Sequence, residues 1–421
     1  MKTAAVPTIE PKTVSPRGQP QSLQRRYVVL AGALGLLSLT YLALGVYTLV
    51  FDVSFSTPVD LRLRWIEEGM IYQGENPQEH TYPEDLFPEL IIGGRNVRGN
   101  YPPWAYATGF ALVPPLGWSA ARIYFAGLCL AAFAGLGYWA FSVGRRVGRQ
   151  WGWFTATAAL SAFAICVAIS YGQYSLIVAA LIVASLVCLE HGRMMSAGLA
   201  LALAAVKPQL AALFFLVPAI FEFRRHERIR FFVSAAIYLA AASIGIAIAV
   251  HSTPWEMFKG PAAESIKFYH LSNNPLIIWA VNWFGFSMGS KLLAGGMAAA
   301  CILLLMTVRS SGSLLAGFSI CAIMSLFWSY SRHYDVLLLT IALVELFLLW
   351  QTRHSRLACA AFFALGLLLW SPITMGLWRL PAAQVAFCSV CLFALATIVA
   401  LQAKSVGECT SRGATIGLCV V

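Results

Sequence analysis

Charged residues are scarce in this sequence: they make up 11% of its 421 residues, whereas hydrophobic residues make up 59% and the mean hydropathy is +0.73. Soluble domains carry charge on about a quarter of their residues. A water-soluble fold of this composition could not cover its surface with polar groups. The composition therefore excludes a soluble globular domain and predicts an all-α integral membrane protein. Its transmembrane helices should number roughly a dozen, at about 20 residues for each crossing.

Several motifs of soluble enzymes are missing as well. The ten cysteines show the spacing of neither a metal site nor a disulfide framework, and most of them lie in apolar runs. There is no glycine-rich phosphate loop and no Asp-x-Asp metal motif, so we expect neither a bound metal nor a cofactor. No internal repeat is evident, which counts against the inverted repeats that are common in transporters.

The net charge is +11, yet the distribution of charge does not indicate a nucleic-acid partner. Basic residues stand in short runs between apolar segments, as the positive-inside rule describes for cytoplasmic loops. The segment Asp52–Tyr101 is the opposite case, because it holds half of all the acidic residues. We therefore predict that it is an external loop, facing the periplasm or the exterior of an inner (plasma) membrane.

The remainder of the chain divides by composition. Residues 1–26 are predicted to be a disordered cytoplasmic tail, residues 27–402 a transmembrane domain, and residues 403–421 a second cytoplasmic tail. Apolar runs predict crossings near 27–51, 120–143, 151–169, 174–190, 196–222, 231–250, 287–308, 313–329, 334–351, 357–371 and 379–402.

Two places in this pattern are ambiguous. The stretch 102–118 carries four prolines and is either a crossing or an external re-entrant element. The stretch 196–222 is interrupted by Lys207 and the proline after it, so it is either one kinked crossing or two short helices. We favour two helices, because this keeps Arg145–Arg149 in the cytoplasm. Helices this short do not cross a bilayer, so Lys207 would line a cavity on the side of Gln173 and the acidic loop.

Ionisable residues in apolar surroundings cost about 2.5–3.5 kcal/mol each on insertion and commonly mark functional cavities. Soon after the first helix, Asp60 is followed at helical spacing by Arg64, Glu67 and Glu68. This spacing fits a solvated amphipathic helix on the outer surface, and it also fits one wall of a site. The spacing alone leaves both interpretations open.

Two further polar elements lie near the predicted crossings. Lys207 either extends its ammonium group to the interface or binds a phosphate at a broken helix. The turn Tyr171–Tyr174, which contains Gln173, is either an ordinary polar turn or part of the same site.

The segment Tyr330–Asp335 is the densest polar cluster among the late helices. It is either a short external loop or an anion site, in which Arg332 supplies charge and His333 supplies a hydrogen bond or a proton. Under the favoured topology all of these polar elements lie on one side of the membrane.

Five short motifs stand in a recognisable order along the chain. They are Asp60-Leu-Arg-Leu-Arg, Asn100-Tyr-Pro-Pro-Trp104, Gly172-Gln173, Val206-Lys207-Pro208 and Trp328-Ser-Tyr-Ser-Arg-His333. The ordered set resembles a family of GT-C membrane glycosyltransferases. Its members include the polyprenol-phosphate-mannose-dependent mannosyltransferases and the arabinofuranosyltransferases of mycobacterial envelopes. The resemblance covers about residues 30–350.

The resemblance implies a GT-C-like polytopic bundle whose external loop carries short juxtamembrane helices. It implies transfer of a sugar, mannose or pentose-like, from a polyprenyl-phosphate donor to a glycolipid or polysaccharide acceptor on the non-cytoplasmic face. Asp60 maps onto the family's catalytic base, and a direct displacement would invert the anomeric centre. The residues expected to bind substrate are His333, Arg332, Lys207, Gln173, Tyr101 and Arg64.

The sequence also departs from the family pattern. The glycine-rich element after the loop helix lacks its tyrosine at Gly74–Pro77, and the paired histidines are reduced to His333. Two rival functions remain. A transporter or flippase would use the same charges as substrate ligands, and a non-catalytic scaffold would use the acidic loop as an interaction surface. Sugar transfer that depends on Asp60 separates the enzyme from both.

Overall fold

The protein is described by a computed structural model, which covers residues 21–51, 59–80, 101–258, 286–328, 332–372 and 380–416. The regular secondary structure of these segments is helical throughout. The helices are α1 Gln21–Phe51, α2 Val59–Tyr72, α3 Pro103–Leu112, α4 Trp118–Arg145, α5 Arg149–Leu160, α6 Phe163–Ser170, α7 Ser175–Glu190, α8 Met194–Ala204, α9 Pro208–Ile220, α10 Arg225–Ala249, α11 Phe286–Val308, α12 Leu314–Trp328, α13 Leu339–Arg353, α14 Arg356–Trp370 and α15 Pro381–Ile416.

Each predicted crossing coincides with one of these helices or with a pair of them. Six helices are long and apolar enough to span a membrane, and the pair α5–α6, bent by 48°, could form a seventh span. Five further apolar helices, α7, α8, α9, α12 and α14, are only 10–17 residues long. The predicted count of about twelve therefore requires that these shorter helices also cross, and it stays a prediction. Helix α15 continues to Ile416, into the segment that the sequence indicated as a tail.

The helices that face outward differ from those at the centre as expected for a membrane bundle. Helices α1, α10 and α11 present many large apolar side chains on their exposed surfaces, which lipid would cover. Helices α12 and α13 are buried along nearly their whole length and form the middle of the core. Without water at this depth, each backbone polar group must find a partner within the protein, which helices provide.

The turns between helices fall into two groups at opposite ends of the bundle. An ion pair of 3.0 Å joins Arg146 to Glu190, so the ends of α4 and α7 lie together at what we call the basic end. At the other end, which we call the polar end, the backbone N–H of Leu61 donates to the carbonyl of Tyr171 at 3.3 Å. Helix α2 therefore rests on the turn that joins α6 to α7.

The break after α8 confirms two short helices rather than one kinked crossing. Lys207 has non-helical dihedral angles, and Pro208 opens α9. The indole of Trp104 donates to the carbonyl of Ala205 at 2.9 Å, and that of Trp328 donates to Gln209 at 2.7 Å. Two carbonyls next to the break are thus satisfied by tryptophans from the matching motifs.

The region 102–118 is also resolved into a short element and a long one. Helix α3 has 10 residues and so extends about 15 Å, half of a hydrocarbon core. It packs against α10, and Pro102 precedes its first turn. The long helix α4 starts only at Trp118. The prolines therefore separate a half-length helix from a full-length one.

Candidate functional site

The charged face of α2 points into the protein. Arg64, Glu67 and Glu68 are all buried, and Asp60 in the first turn is half-buried. The interpretation of α2 as a solvated amphipathic helix is therefore wrong. A buried row of ionisable groups is costly unless the groups are paired or carry a function. An ion pair between Arg64 and Glu67 accounts for part of this row.

Arg64 is held between an acid and an aromatic ring. Its guanidinium forms an ion pair with Glu67, one turn further along α2, and its Cζ lies 3.7 Å from the ring centroid of Tyr101. Burial of the phenol end raises the pKa of Tyr101 to about 12, although the Arg64 guanidinium opposes this shift. Tyr101 therefore stays a neutral phenol. Arg64 and Tyr101, which were both expected to bind substrate, therefore lie in contact.

Gly172 allows α2 to approach the turn below it. Its φ of +67° lies in the left-handed region, and a Cβ atom placed on it would lie 2.2 Å from Cβ of Leu61. Gln173 follows directly and is buried. The Gly-Gln motif thus has a geometric reason, because only glycine permits both the dihedral angle and the contact beneath Asp60.

We expect Gly172→Ala to displace α2 and to lower any activity that depends on Asp60. The substitution forces an unfavourable dihedral angle, which costs about 1–2 kcal/mol, and adds the clash with Leu61. Thermal unfolding of the purified protein should occur at lower temperature. The matched control is Gly192→Ala, because Gly192 has a φ of +68° but nothing near its Cβ position. If both variants lost stability and activity equally, contact with Leu61 would not be the reason for the glycine.

Lys207 is the centre of a buried polar cluster rather than an isolated cation. Its Nζ donates to Oδ1 of Asp335 at 3.0 Å and to Oγ of Ser175 at 2.9 Å. Ser175 in turn donates to the same carboxylate oxygen at 2.7 Å. Nζ also lies 4.6 Å from the ring centroid of Tyr334. Lys207 does not snorkel to the interface, since its side chain is only 3% exposed.

Asp335 connects this cluster to the predicted anion site. Its second oxygen, Oδ2, accepts a hydrogen bond of 2.9 Å from the backbone N–H of Arg332. His333 packs edge-on against Tyr334 with ring centroids 5.2 Å apart. Both Arg332 and His333 are half-buried and so remain reachable, in contrast to Lys207. The carboxylate therefore fixes the start of the segment that carries these two side chains.

The predicted residues meet at the polar end. Asp60 lies within electrostatic range of both Lys207 and Tyr101. Asp335 links Lys207 to the segment that carries His333, because it accepts hydrogen bonds from both Lys207 and the backbone of Arg332. A reachable carboxylate thus lies near a cluster that is rich in cationic and polar groups. That arrangement can accept a proton at one point and stabilise an anion at a second.

Sequence reasoning missed several polar residues of this end. Glu67 and Glu68 were recognised at helical spacing, but the direction in which they point was not. The sequence shows Asp335 only as part of a polar segment, and nothing in sequence spacing links it to Lys207, 128 positions away. Tyr174 belongs to the polar turn Tyr171–Tyr174, whereas no sequence pattern indicates a role for Ser175 or Tyr106.

The comparisons with known proteins identify a family. The sequence profile described as "GT87: Glycosyltransferase family 87" matches residues 100–330, which is more than half of the chain. The match includes four of the five motifs in whole or in part and confirms the resemblance that they indicated. No curated protein and no solved structure matches the chain.

Proposed function

The chain belongs to glycosyltransferase family 87 and is a membrane glycosyltransferase, and from this premise we propose that it transfers a sugar from a polyprenyl-phosphate donor with inversion, using Asp60 as the general base. The enzyme is of the GT-C type. The transferred sugar is mannose or a pentose. The acceptor is a glycolipid or polysaccharide of the cell envelope, and the polar end faces the periplasm or exterior of the inner membrane.

The observation that carries this proposal is the placement of Asp60. It is half-buried in the first turn of a helix whose other charged residues are buried, and it lies within electrostatic range of Lys207. The carboxylate is therefore reachable by an acceptor, while the nearby cationic and polar groups suit an anion. The concentration of basic residues at the other end of the bundle supports an external location for the polar end.

The proposed reaction needs one base and one anion site. Asp60 takes the proton of an acceptor hydroxyl as the hydroxyl oxygen forms a bond to the anomeric carbon. The bond from that carbon to the phosphate oxygen breaks, and its electron pair leaves with the polyprenyl phosphate. Arg332 and His333 bind the developing phosphate charge, and Asp335 positions their segment. Gln173 and Tyr101 contact the sugar.

The proposal is tested by transfer from defined donors. The purified protein, reconstituted in vesicles with membrane acceptor lipids, receives a polyprenyl-phosphate mannose or a polyprenyl-phosphate arabinose with a labelled sugar. We expect product from one of them, and His333→Ala should raise the KM for that donor more than the KM for the acceptor. Passage of labelled donor across the vesicle membrane without any product would support the transporter and reject the enzyme.

A further inference from the structure

Three buried oxygen atoms, one on α2 and two on neighbouring elements, lack hydrogen-bond partners among the residues that the structure describes. They are Oε2 of Glu68, the hydroxyl oxygen of Tyr106 and the hydroxyl oxygen of Tyr174. The backbone N–H of Tyr101 approaches the Tyr106 hydroxyl without reaching hydrogen-bond geometry. Buried polar groups are nearly always paired, so an unpaired set of three requires an explanation.

The three oxygens belong to one place in the fold although they come from three elements. Glu68 lies on α2, Tyr106 on α3, and Tyr174 immediately before α7. Glu68 lies within electrostatic range of both phenols. All three residues are at most 3% exposed. The carboxyl of Glu68 also packs closely against Gly109 of α3, where an added Cβ atom would lie 1.9 Å from Oε1 of Glu68.

The charge balance indicates that this place is neutral. Arg64 forms its ion pair with Glu67, and Glu68 has no ion pair among the described residues of α2, although the Arg64 guanidinium lies within its electrostatic range and opposes the rise of its pKa. Burial, together with the nearby Glu67, raises the pKa of the Glu68 carboxyl well above its usual range. A protonated carboxyl and two phenols can each donate and accept a hydrogen bond. Such a set matches hydroxyl groups and offers no charge to a phosphate or a cation.

We propose that Glu68, Tyr106 and Tyr174 form a subsite for an uncharged sugar ring of the acceptor, beyond the sugar or alcohol whose hydroxyl Asp60 deprotonates. Glu68 follows Asp60 by eight positions, which places it about 12 Å further along the helix. That distance is too long for the reacting ring alone. This inference rests on the proposed function, because Asp60 as the base sets the reference point, and it assigns the acceptor as a glycan of at least two units.

Entry of a sugar requires movement, because the three oxygens are covered in the unliganded chain. Helix α2 must shift away from α3 so that sugar hydroxyls replace the contact between Glu68 and Gly109. The three groups have no partner among the described residues, and the sugar satisfies them on binding. Replacing one of these tyrosines by phenylalanine should therefore maintain or raise stability without ligand but lower the affinity for the sugar.

The test compares Tyr106→Phe and Tyr174→Phe with Tyr138→Phe, because Tyr138 on α4 is 75% exposed. The full chain in detergent is titrated with an α-linked mannose disaccharide, and separately with decaprenyl phosphate. Each buried substitution should weaken disaccharide binding about five-fold, the value of one neutral hydrogen bond. Affinity for decaprenyl phosphate should not change. Without ligand, the unfolding temperature of both variants should equal or exceed that of the wild type, and Tyr138→Phe should change neither quantity.

The charge state of Glu68 is tested in the same way. Glu68→Gln keeps a donor and an acceptor and should retain disaccharide affinity, whereas Glu68→Leu should lose it. If Glu68→Gln fails as severely as Glu68→Leu while both unfold at the wild-type temperature, the neutral subsite is rejected.

Three other outcomes would contradict the proposed subsite. A lower unfolding temperature with unchanged disaccharide affinity would show that the hydroxyls are structural, and a wild type that binds no disaccharide would overturn the proposal. Weaker binding of a polyprenyl-phosphate mannose, but not of the disaccharide, would assign the subsite to the donor sugar and overturn the acceptor assignment. Because these are binding measurements, they stand even if no donor supports transfer, so failure of the proposed function is seen separately.

Discussion

Asp60→Asn is expected to reduce sugar transfer about 10²- to 10⁴-fold, the contribution that a positioned general base makes to a reaction. Asparagine has nearly the shape of aspartate but cannot take the proton from the attacking hydroxyl. Because Asp60 is half-buried and lies outside the ion pair of Arg64 with Glu67, folding should be little affected. The measurement is kcat for transfer from the donor identified by reconstitution, with the unfolding temperature recorded in parallel.

Glu79→Gln is the matched control for this prediction. Glu79 belongs to the same acidic stretch, is exposed, and bonds only to Asn76 at its side chain in the described structure, at 3.1 Å. It should leave transfer at the wild-type rate. Full transfer by Asp60→Asn would remove Asp60 from catalysis. Equal loss in both variants would show that the charge of the loop, rather than one carboxylate, matters.

The positions of the helices could be predicted from the sequence, because an apolar run of sufficient length leaves few alternatives in a membrane. The break at Lys207 could be predicted for a similar reason, since a proline cannot continue the preceding helix. The lengths of the membrane crossings were harder to predict from the sequence. Helix α3 and the segments on either side of Lys207 are apolar yet short, and hydropathy alone does not tell a half-length helix from a full crossing.

The site was predicted only as a set of residues on one side. The periodicity of Asp60, Arg64, Glu67 and Glu68 shows that they share a helix face, but it does not say whether that face meets water or protein. Gly172 determines the orientation of this face, because it lets α2 lie against the α6–α7 turn with the charged residues directed into the protein. Contacts between distant segments carry no such local pattern.

The ion pair of Lys207 with Asp335 is the clearest contact that the sequence could not supply, and it predicts the second large effect. Lys207→Met should destabilise the protein by about 3–5 kcal/mol, because it leaves the Asp335 carboxylate buried without its cation. The side chains of Lys207 and Asp335 are 3% and 1% exposed, so solvent cannot replace the lost charge. Thermal unfolding in detergent measures the loss, and Lys291→Met, at an exposed lysine of α11, is the control.

The double variant Lys207→Met with Asp335→Leu separates stability from function. Removing both charges also removes the unpaired carboxylate, so most of the lost stability should return. Activity should not return, since Oδ2 of Asp335 no longer holds the backbone N–H of Arg332 and the segment carrying His333 is released. Recovery of both would show that the pair is only structural. Wild-type stability in the single variant Lys207→Met would show that the buried ion pair contributes nothing, and the site would then have to be built without it.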